Sequence, residues 1–422
     1  MRKSLTGSWP AAAVALAAVA ATTTLATGVA SAEATVDRAS VATGGAEANG
    51  VSDLGIPSAD GRFVAFWSLA TNLSPLDTNL NGDVYVRDRV LGTTELITVD
   101  MNGAPSGGTL DDISADGRFV VFTSFGTSVV ANDFNGVGDV FVRDRVAGTT
   151  QRVSVDGDET QAADRSLAGS VSRDGRYVAF TTYAPLSDAD RDSGSLDVYV
   201  RDTVGGTTEL VSVGRDGFEA GGQRPSISDD GRFVAFLSGS KRLVKRDTNK
   251  KHDVFVRDLS KDRTERISVD SKGDEARKRS FGPEMAGFGR YVLFTTKSRL
   301  SGKDTNAKLD VYVHDRRMDK TQLVSVDSGE RQAGGPVITP SISADGRFVS
   351  FNAAADLRDG GRTTDALYLR DRTAGTTDLL VKKVGDGAVL SGNAKVVVFD
   401  AFRHNVVTPD TNDLRDVFAL VR

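Results

Sequence analysis

Short runs rich in β-branched and aromatic residues recur along the chain, parted by clusters of Gly, Asn and Asp. No stretch beyond the first thirty or so residues shows helical spacing of its apolar positions, so the pattern predicts strands and turns throughout. The runs repeat. Ser58 to Phe66 reads SADGRFVAF, and closely similar segments begin at Ser114, Ser172, Ser228 and Ser343. Two looser copies, AGFGRYVLF from Ala286 and SGNAKVVVF from Ser391, bring the set to seven, with successive spacings of 56, 58, 56, 58, 57 and 48 residues. A fixed period of this length is the mark of a repeat architecture.

Each repeat supplies four strands, a to d. A short segment such as Pro225 to Ser228 is strand a, and the Asp-Gly turn leads into strand b, FVAF in the first copy. A longer loop then leads to a DVYVRD-type strand c (Asp83 to Asp88, Asp139 to Asp144, Asp197 to Asp202), and a Gly-Thr turn leads to strand d (Gly92 to Asp100 in the first copy). In strand b, Phe63 and Ala65 face one side while Val64 and Phe66 face the other, so both sides of the sheet must be covered. Radial stacking of sheets achieves this, and the expected fold is an all-β, seven-bladed β-propeller of four-stranded antiparallel blades. The last repeat ends after strand c. Val36 to Val41 (VDRASV) matches the strand d segment QRVSV of Gln151 to Val155, so the N-terminal strand is expected to complete the last blade and close the ring.

The first residues change the picture of where the protein works. Arg2 and Lys3 precede an apolar run from Ala11 to Ala20, and Ala30-Ser31-Ala32 offers small residues for cleavage. This is the layout of an export signal, too short to span a bilayer, which takes roughly 20 apolar residues. The domains expected are a signal peptide, 1–32, and a propeller, 33–422, in a secreted, extracellular protein. With 0 Cys no disulfide supports the fold, and a chain of this size can bury enough apolar surface without one. Loss of the leader shifts the formal charge from −5 to −7, a mildly acidic balance unlike that of a nucleic-acid binder.

The S-x-D-G-[RK]-[FY]-V-x-F strand followed by D-V-[YF]-V-x-D resembles the WD-repeat-like (PD-repeat) propeller repeat of TolB-type proteins. The likeness runs over essentially the whole chain after the leader and implies the propeller fold. TolB also has an N-terminal α/β domain, for which this sequence shows no counterpart, so its envelope role is not carried over. The same repeat forms the propeller half of prolyl-oligopeptidase-like peptidases, whose Gly-x-Ser-x-Gly elbow is missing here.

Four sets of residues are candidates for chemistry. The Arg of each DGR (Arg62, Arg118, Arg176, Arg232, Arg290, Arg347) should meet the Asp ending strand c (Asp88, Asp144, Asp202, Asp258, Asp315, Asp371) as a cross-strand ion pair. An Asp stands six residues ahead of the Asp that opens strand c, as in Asp77/Asp83, Asp133/Asp139, Asp247/Asp253, Asp304/Asp310, Asp359/Asp365 and Asp410/Asp416. Asx turns shaping the loop are the expected reading. The alternative is a small calcium site of Asp77, Asn79, Asn81 and Asp83, calcium being the one cofactor the sequence suggests. Histidines 252, 314 and 404 are isolated, no nucleophile motif or phosphate loop occurs, and no catalytic residue is assigned. Strands a read as small and neutral, like Ser226-Ile227-Ser228, which favours binding over catalysis.

Finally, residues 241 to 279 hold 14 Lys or Arg against 8 Asp or Glu. Lys241, Arg242, Lys245, Arg246, Lys250 and Lys251 fall in one b–c loop, Arg277, Lys278 and Arg279 in the next d–a loop, and Lys297 and Arg299 in the following b–c loop. These loops leave the same face. Charge runs commonly serve only solvation, and the functional alternative is a docking site for an anionic partner. The function expected is therefore a non-catalytic binding or scaffold module for an extracellular protein or anionic cell-envelope polymer, acting as a monomer without a membrane span. The alternative is a single-domain propeller enzyme directed at a polysaccharide or lactone.

Overall fold

In the computed structural model, residues 35–192, 194–355, 357, 362–382, 384–385, 387–402, 406 and 410–422 are described. The expected signal peptide, His404 and Asp359 lie outside them, as does the side chain of Asp365. The described residues form 28 strands and no helix, from β1 (Thr35–Arg38) and β2 (Ser52–Pro57) to β28 (Arg415–Val421). They build seven four-stranded antiparallel sheets within the compact unit Ala34–Arg422. Blade 1 is β2, β3 (Phe63–Ser68), β4 (Asp83–Asp88) and β5 (Thr93–Leu96), hydrogen-bonded in that order. Blades 2 to 6 repeat it. Blade 7 has the order β1, β28, β27 (Val396–Phe402), β26 (Ala388–Leu390). Val36 stands opposite Leu420 and Arg38 opposite Phe418, so the N-terminal strand closes the ring as expected. Its ladder covers Thr35–Arg38, shorter than the predicted 36–41, because the chain turns away after Ala39 bonds the Val417 carbonyl.

The expected two-sided burial of strand b holds: Val64, Ala65 and Phe66 are all 0% exposed. Side chains from adjacent blades meet there. One cluster joins Val64 and Phe66 of blade 1 to Val396, Val398 and Val417 of blade 7. Within each blade the Phe of strand b pairs with the Tyr or Phe of strand c, with ring centroids 5.5 to 5.9 Å apart. The Gly of the a–b turn serves both turn and interface. Gly117 has φ +74, and a Cβ there would lie 2.3 Å from the Phe63 ring of the preceding blade.

The DGR arginines meet the strand c aspartates in all six blades, with Nη2 to Oδ2 distances of 2.6 to 2.7 Å. A second arginine ties blade to blade. Arg145 of blade 2 bonds the Gly117 carbonyl in its own blade, pairs with Glu95 of blade 1 at 2.8 Å and lies over the Phe63 ring at 4.8 Å. Arg89 and Arg316 make the corresponding pairs with Asp37 and Glu265.

Candidate functional site

The antiparallel blades place the a–b and c–d turns on one face and the longer b–c and d–a loops on the other. On the loop face each d–a loop wedges between two b–c loops. Between blades 4 and 5, Thr248 donates its N–H to Glu275 at 3.1 Å, and Lys278 donates its N–H to the Ser298 hydroxyl at 2.7 Å. These contacts gather the three basic segments into one sector. Lys241, Lys245, Arg246, Lys250, Lys251, Arg277, Lys278, Arg279, Lys297 and Arg299 are exposed. Arg242 differs: it is half-buried and held by Asp216 at 2.9 Å and Glu219 at 3.7 Å. A cleft of about 330 Å³ runs through the sector, with Arg277, Lys278, Lys297 and Arg299 on its walls and Asp270, Asp274 and Glu275 beside them. His252 ends the b–c loop of blade 4, its imidazole held below its ordinary pKa by burial and then by the Arg279 charge.

The b–c loop aspartates have structural partners that follow a rule. In blades 1, 3 and 5 the loop Asp accepts a hydrogen bond from the Tyr hydroxyl of strand c: Tyr85 to Asp77 at 2.5 Å, Tyr199 to Asp190 at 2.6 Å and Tyr312 to Asp304 at 2.6 Å. In each of these blades the residue opposite the Tyr on strand d is Leu. In blades 2, 4 and 7 strand c has Phe instead, and the residue opposite is Arg. That Arg lies near the loop Asp: Arg152 and Asp133 at 3.5 Å, Arg266 and Asp247 at 3.9 Å, Arg38 and Asp410 at 3.8 Å. Tyr with Leu and Phe with Arg are two solutions for one buried carboxylate.

The four calcium-loop residues of blade 1 take part in hydrogen bonds within the protein. Asp77 accepts from Tyr85 and from the Asn79 N–H, and Asn79 accepts from the Asn81 N–H. Asp83, wholly buried, accepts from the Thr98 hydroxyl and the Gly107 N–H. These are Asx turns and strand-end bonds. A closer carboxylate group was missed. Asp190, Asp192 and Asp197 of blade 3 bring oxygens within 4.8 Å of one another. Their loop places the two outer aspartates seven residues apart where the other copies have six, so the period conceals it. Each already accepts protein donors, from Tyr199, the Ser195 N–H and Ser212 respectively.

Strands a line a central channel of about 830 Å³. The expectation that they are small and neutral is wrong for blades 2, 4 and 5, where Asp111 and Asp112, Arg224, and Glu284 respectively line it. The positions have a repeated duty. Ser170 accepts the N–H of Ile227 in the next blade at 2.6 Å, Ser226 that of Met285 at 2.9 Å, and Ser341 that of Leu390 at 3.1 Å. Asp112 and Glu284 occupy the same position and accept Val171 at 2.9 Å and Ile342 at 3.0 Å. They are collar residues in place of Ser. Burial is the main cause that pushes the Asp112 carboxyl up to about 6 and those of Asp111 and Glu284 up to about 7. Below this layer the a–b turns form a second collar of backbone bonds, Ala59 to Ala115, Ala115 to Arg173, Arg173 to Asp229 and Asp229 to Gly287. β-Bulges in the strands a of blades 1 to 6 turn these residues toward the axis.

This is a seven-bladed propeller closed by its N-terminal strand. No protein-family model and no curated protein matches the sequence. Solved structures do match. The β-propeller domain of the Trilobed protease from Pyrococcus furiosus aligns over 88% of this chain and 93% of its own, at 14% identity and a TM-score of 0.55. Oligogalacturonate lyase in complex with manganese aligns over 93% of this chain and 94% of its own, at 11% identity and a TM-score of 0.54. TolB from Acinetobacter baumannii aligns over 86% and 81%, at 15% identity and a TM-score of 0.42. At these identities the first two likenesses show the fold alone. The Pyrococcus domain is described as having an open velcro topology, whereas here β1 pairs with β28.

Proposed function

We propose that this is an exported, non-catalytic binding propeller that docks an anionic macromolecule of the cell envelope or its surroundings on its loop face. The carrying observation is the basic sector of blades 4 and 5. Its cations come from three loops, ten of them are exposed, and they sit in a chain of net charge −5. Concentrated positive potential on one side of an acidic protein attracts and orients a polyanion. The competing reading, an enzyme working in the channel on a polysaccharide or lactone, would have to draw on Arg224 and on Asp111, which already accepts the Thr123 hydroxyl, because Asp112 and Glu284 are bonded into the collar. The test is binding of the protein to isolated anionic wall polymer at low and high salt. Changing Lys245, Arg246, Lys250 and Lys251 together to Glu should abolish it, and salt should weaken it steeply. No binding at low salt, or equal binding by the variant, would reduce the sector to a solvated surface.

A further inference from the structure

The loop face carries a second unusual sector, on blades 1 and 2. Four b–c loop crests share one hydrogen bond, Asn79, Asn135, Asn249 and Asn306 each accepting the N–H two residues on, while the residue after the Asn has a left-handed φ in blades 2, 4 and 5 and not at Leu80 of blade 1. Residues around these Asn stand at corresponding positions of the loops. After the Asn come Leu80 in blade 1, Gly136 in blade 2, Lys250 in blade 4 and Ala307 in blade 5. Before it come Thr78, Phe134, Thr248 and Thr305. Leu80 is 88% and Phe134 82% exposed, and Phe125 and Met101 at 66% and 61% lie in the same group of loops. The d–a loop between blades 1 and 2 ties the group together, Met101 N–H bonding the Ser128 carbonyl at 3.1 Å and Gly108 N–H that of Gly82 at 2.9 Å. The position after the Asn is thus apolar in blade 1 and cationic in blade 4, and the position before it is Phe in blade 2 and Thr in blades 1, 4 and 5.

We infer that this face lies on a bilayer surface rich in anionic lipid, with Leu80 and Phe134 entering the headgroup region while the basic sector meets lipid phosphates. This deepens the docking reading above and rests on it for the role of the cations. Three observations favour a bilayer over a soluble polymer. A polyanion has no use for large apolar side chains at loop crests, whereas an interface rewards both burial and positive charge. Leu80 and Phe134 project from crests, while Met101 lines a cleft of about 380 Å³ beside them with Val129 and Val130. Residues 241–279 carry a net charge of +6 in an otherwise acidic chain, so an anionic surface draws in this side of the loop face, and the apolar crests of blades 1 and 2 supply the contact on the other side. No helix among the described residues is long and apolar enough to cross a membrane, consistent with a protein resting on the surface.

The test uses the chain beginning at Glu33, which keeps every strand of the closed ring and lacks the apolar leader. It is sedimented with vesicles of equimolar phosphatidylglycerol and phosphatidylcholine, with phosphatidylcholine vesicles alone, and, in parallel, tested for binding to soluble polyglutamate. Binding to the anionic vesicles and to polyglutamate is expected, and none to phosphatidylcholine alone. The double change Leu80→Ser and Phe134→Ser should lower vesicle binding by about tenfold or more and leave polyglutamate binding unchanged. Both sites are exposed, and an unaltered melting temperature will confirm folding. Lys250→Glu with Lys251→Glu should lower both, each removed cation by about fivefold. Polyglutamate binding without vesicle binding, or vesicle binding indifferent to the Leu80/Phe134 change, overturns the inference and leaves the docking reading standing. Binding to neither probe overturns both.

Discussion

The loop aspartate's choice between two partners can be tested by exchanging one solution for the other. Tyr85 is fully buried, and its hydroxyl donates to Asp77 at 2.5 Å; Asp77 is 7% exposed, and its other contact from the chain is the Asn79 N–H at 3.3 Å. Tyr85→Phe removes the stronger donor and should destabilise by about 1.5 to 3 kcal/mol, the usual value for a hydrogen bond to a charged group. Leu96 faces Tyr85 across the ladder and is 5% exposed, so Leu96→Arg alone should cost about as much through lost burial and an unwanted charge. Together the two changes recreate the Phe and Arg of blades 2, 4 and 7, where the arrangement lies between the same strands. The guanidinium can then approach Asp77 and lie against the new Phe ring, as Arg38 lies over Phe418 at 5.7 Å. The double variant should be more stable than the sum of the singles by about 1 to 3 kcal/mol. Urea unfolding of the four proteins at neutral pH measures this coupling. A coupling energy below about 0.5 kcal/mol, the scatter expected of independent sites, would refute the account.

Removing residues 33–44 takes away β1 and leaves β28 with an open edge, so melting temperature or solubility should drop sharply; an unchanged melting curve would mean that the ring does not depend on β1. The raised carboxyls of Asp111, Asp112 and Glu284 bind protons more tightly in the folded chain, so stability should fall as pH rises from about 4 through about 7. Glu284→Ser, which restores the collar residue of other blades, should flatten that fall by about 1 to 2 kcal/mol in urea titrations at pH 5 and 8. Below about pH 4 the sign reverses, because Asp144, Asp202, Asp258 and Asp371 are held near 2 chiefly by their DGR arginines, and protonating them removes those pairs. Melting curves with excess calcium and with chelator should nearly coincide, since Asp77 and Asp83 of the candidate calcium loop already accept protein donors; a shift of many degrees would instead reveal an ion bound to the folded state.

The fold was legible because a blade's requirements are local and recur. Val64 and Ala65 must both be apolar when blades cover both faces of the sheet, and the DGR arginine must have its aspartate within the same hairpin. What escaped notice depends on pairs distant in sequence or on breaks in the period. Asp112 and Glu284 were concealed because their duty is defined by an N–H in the next blade, 58 or 59 residues on, and Ser performs it equally well. The Asp190 cluster was concealed by one extra residue in its loop. The Tyr/Leu and Phe/Arg alternation stood in the sequence, yet it acquires meaning only once the register sets Tyr85 against Leu96 and Phe141 against Arg152. Seven near-identical units also separate structure from function. Whatever all blades share serves the ring, so a binding role must be sought where they diverge. They diverge on the loop face, where one crest position is Leu in blade 1 and Lys in blade 4 although the Asn before it accepts the same backbone N–H in both.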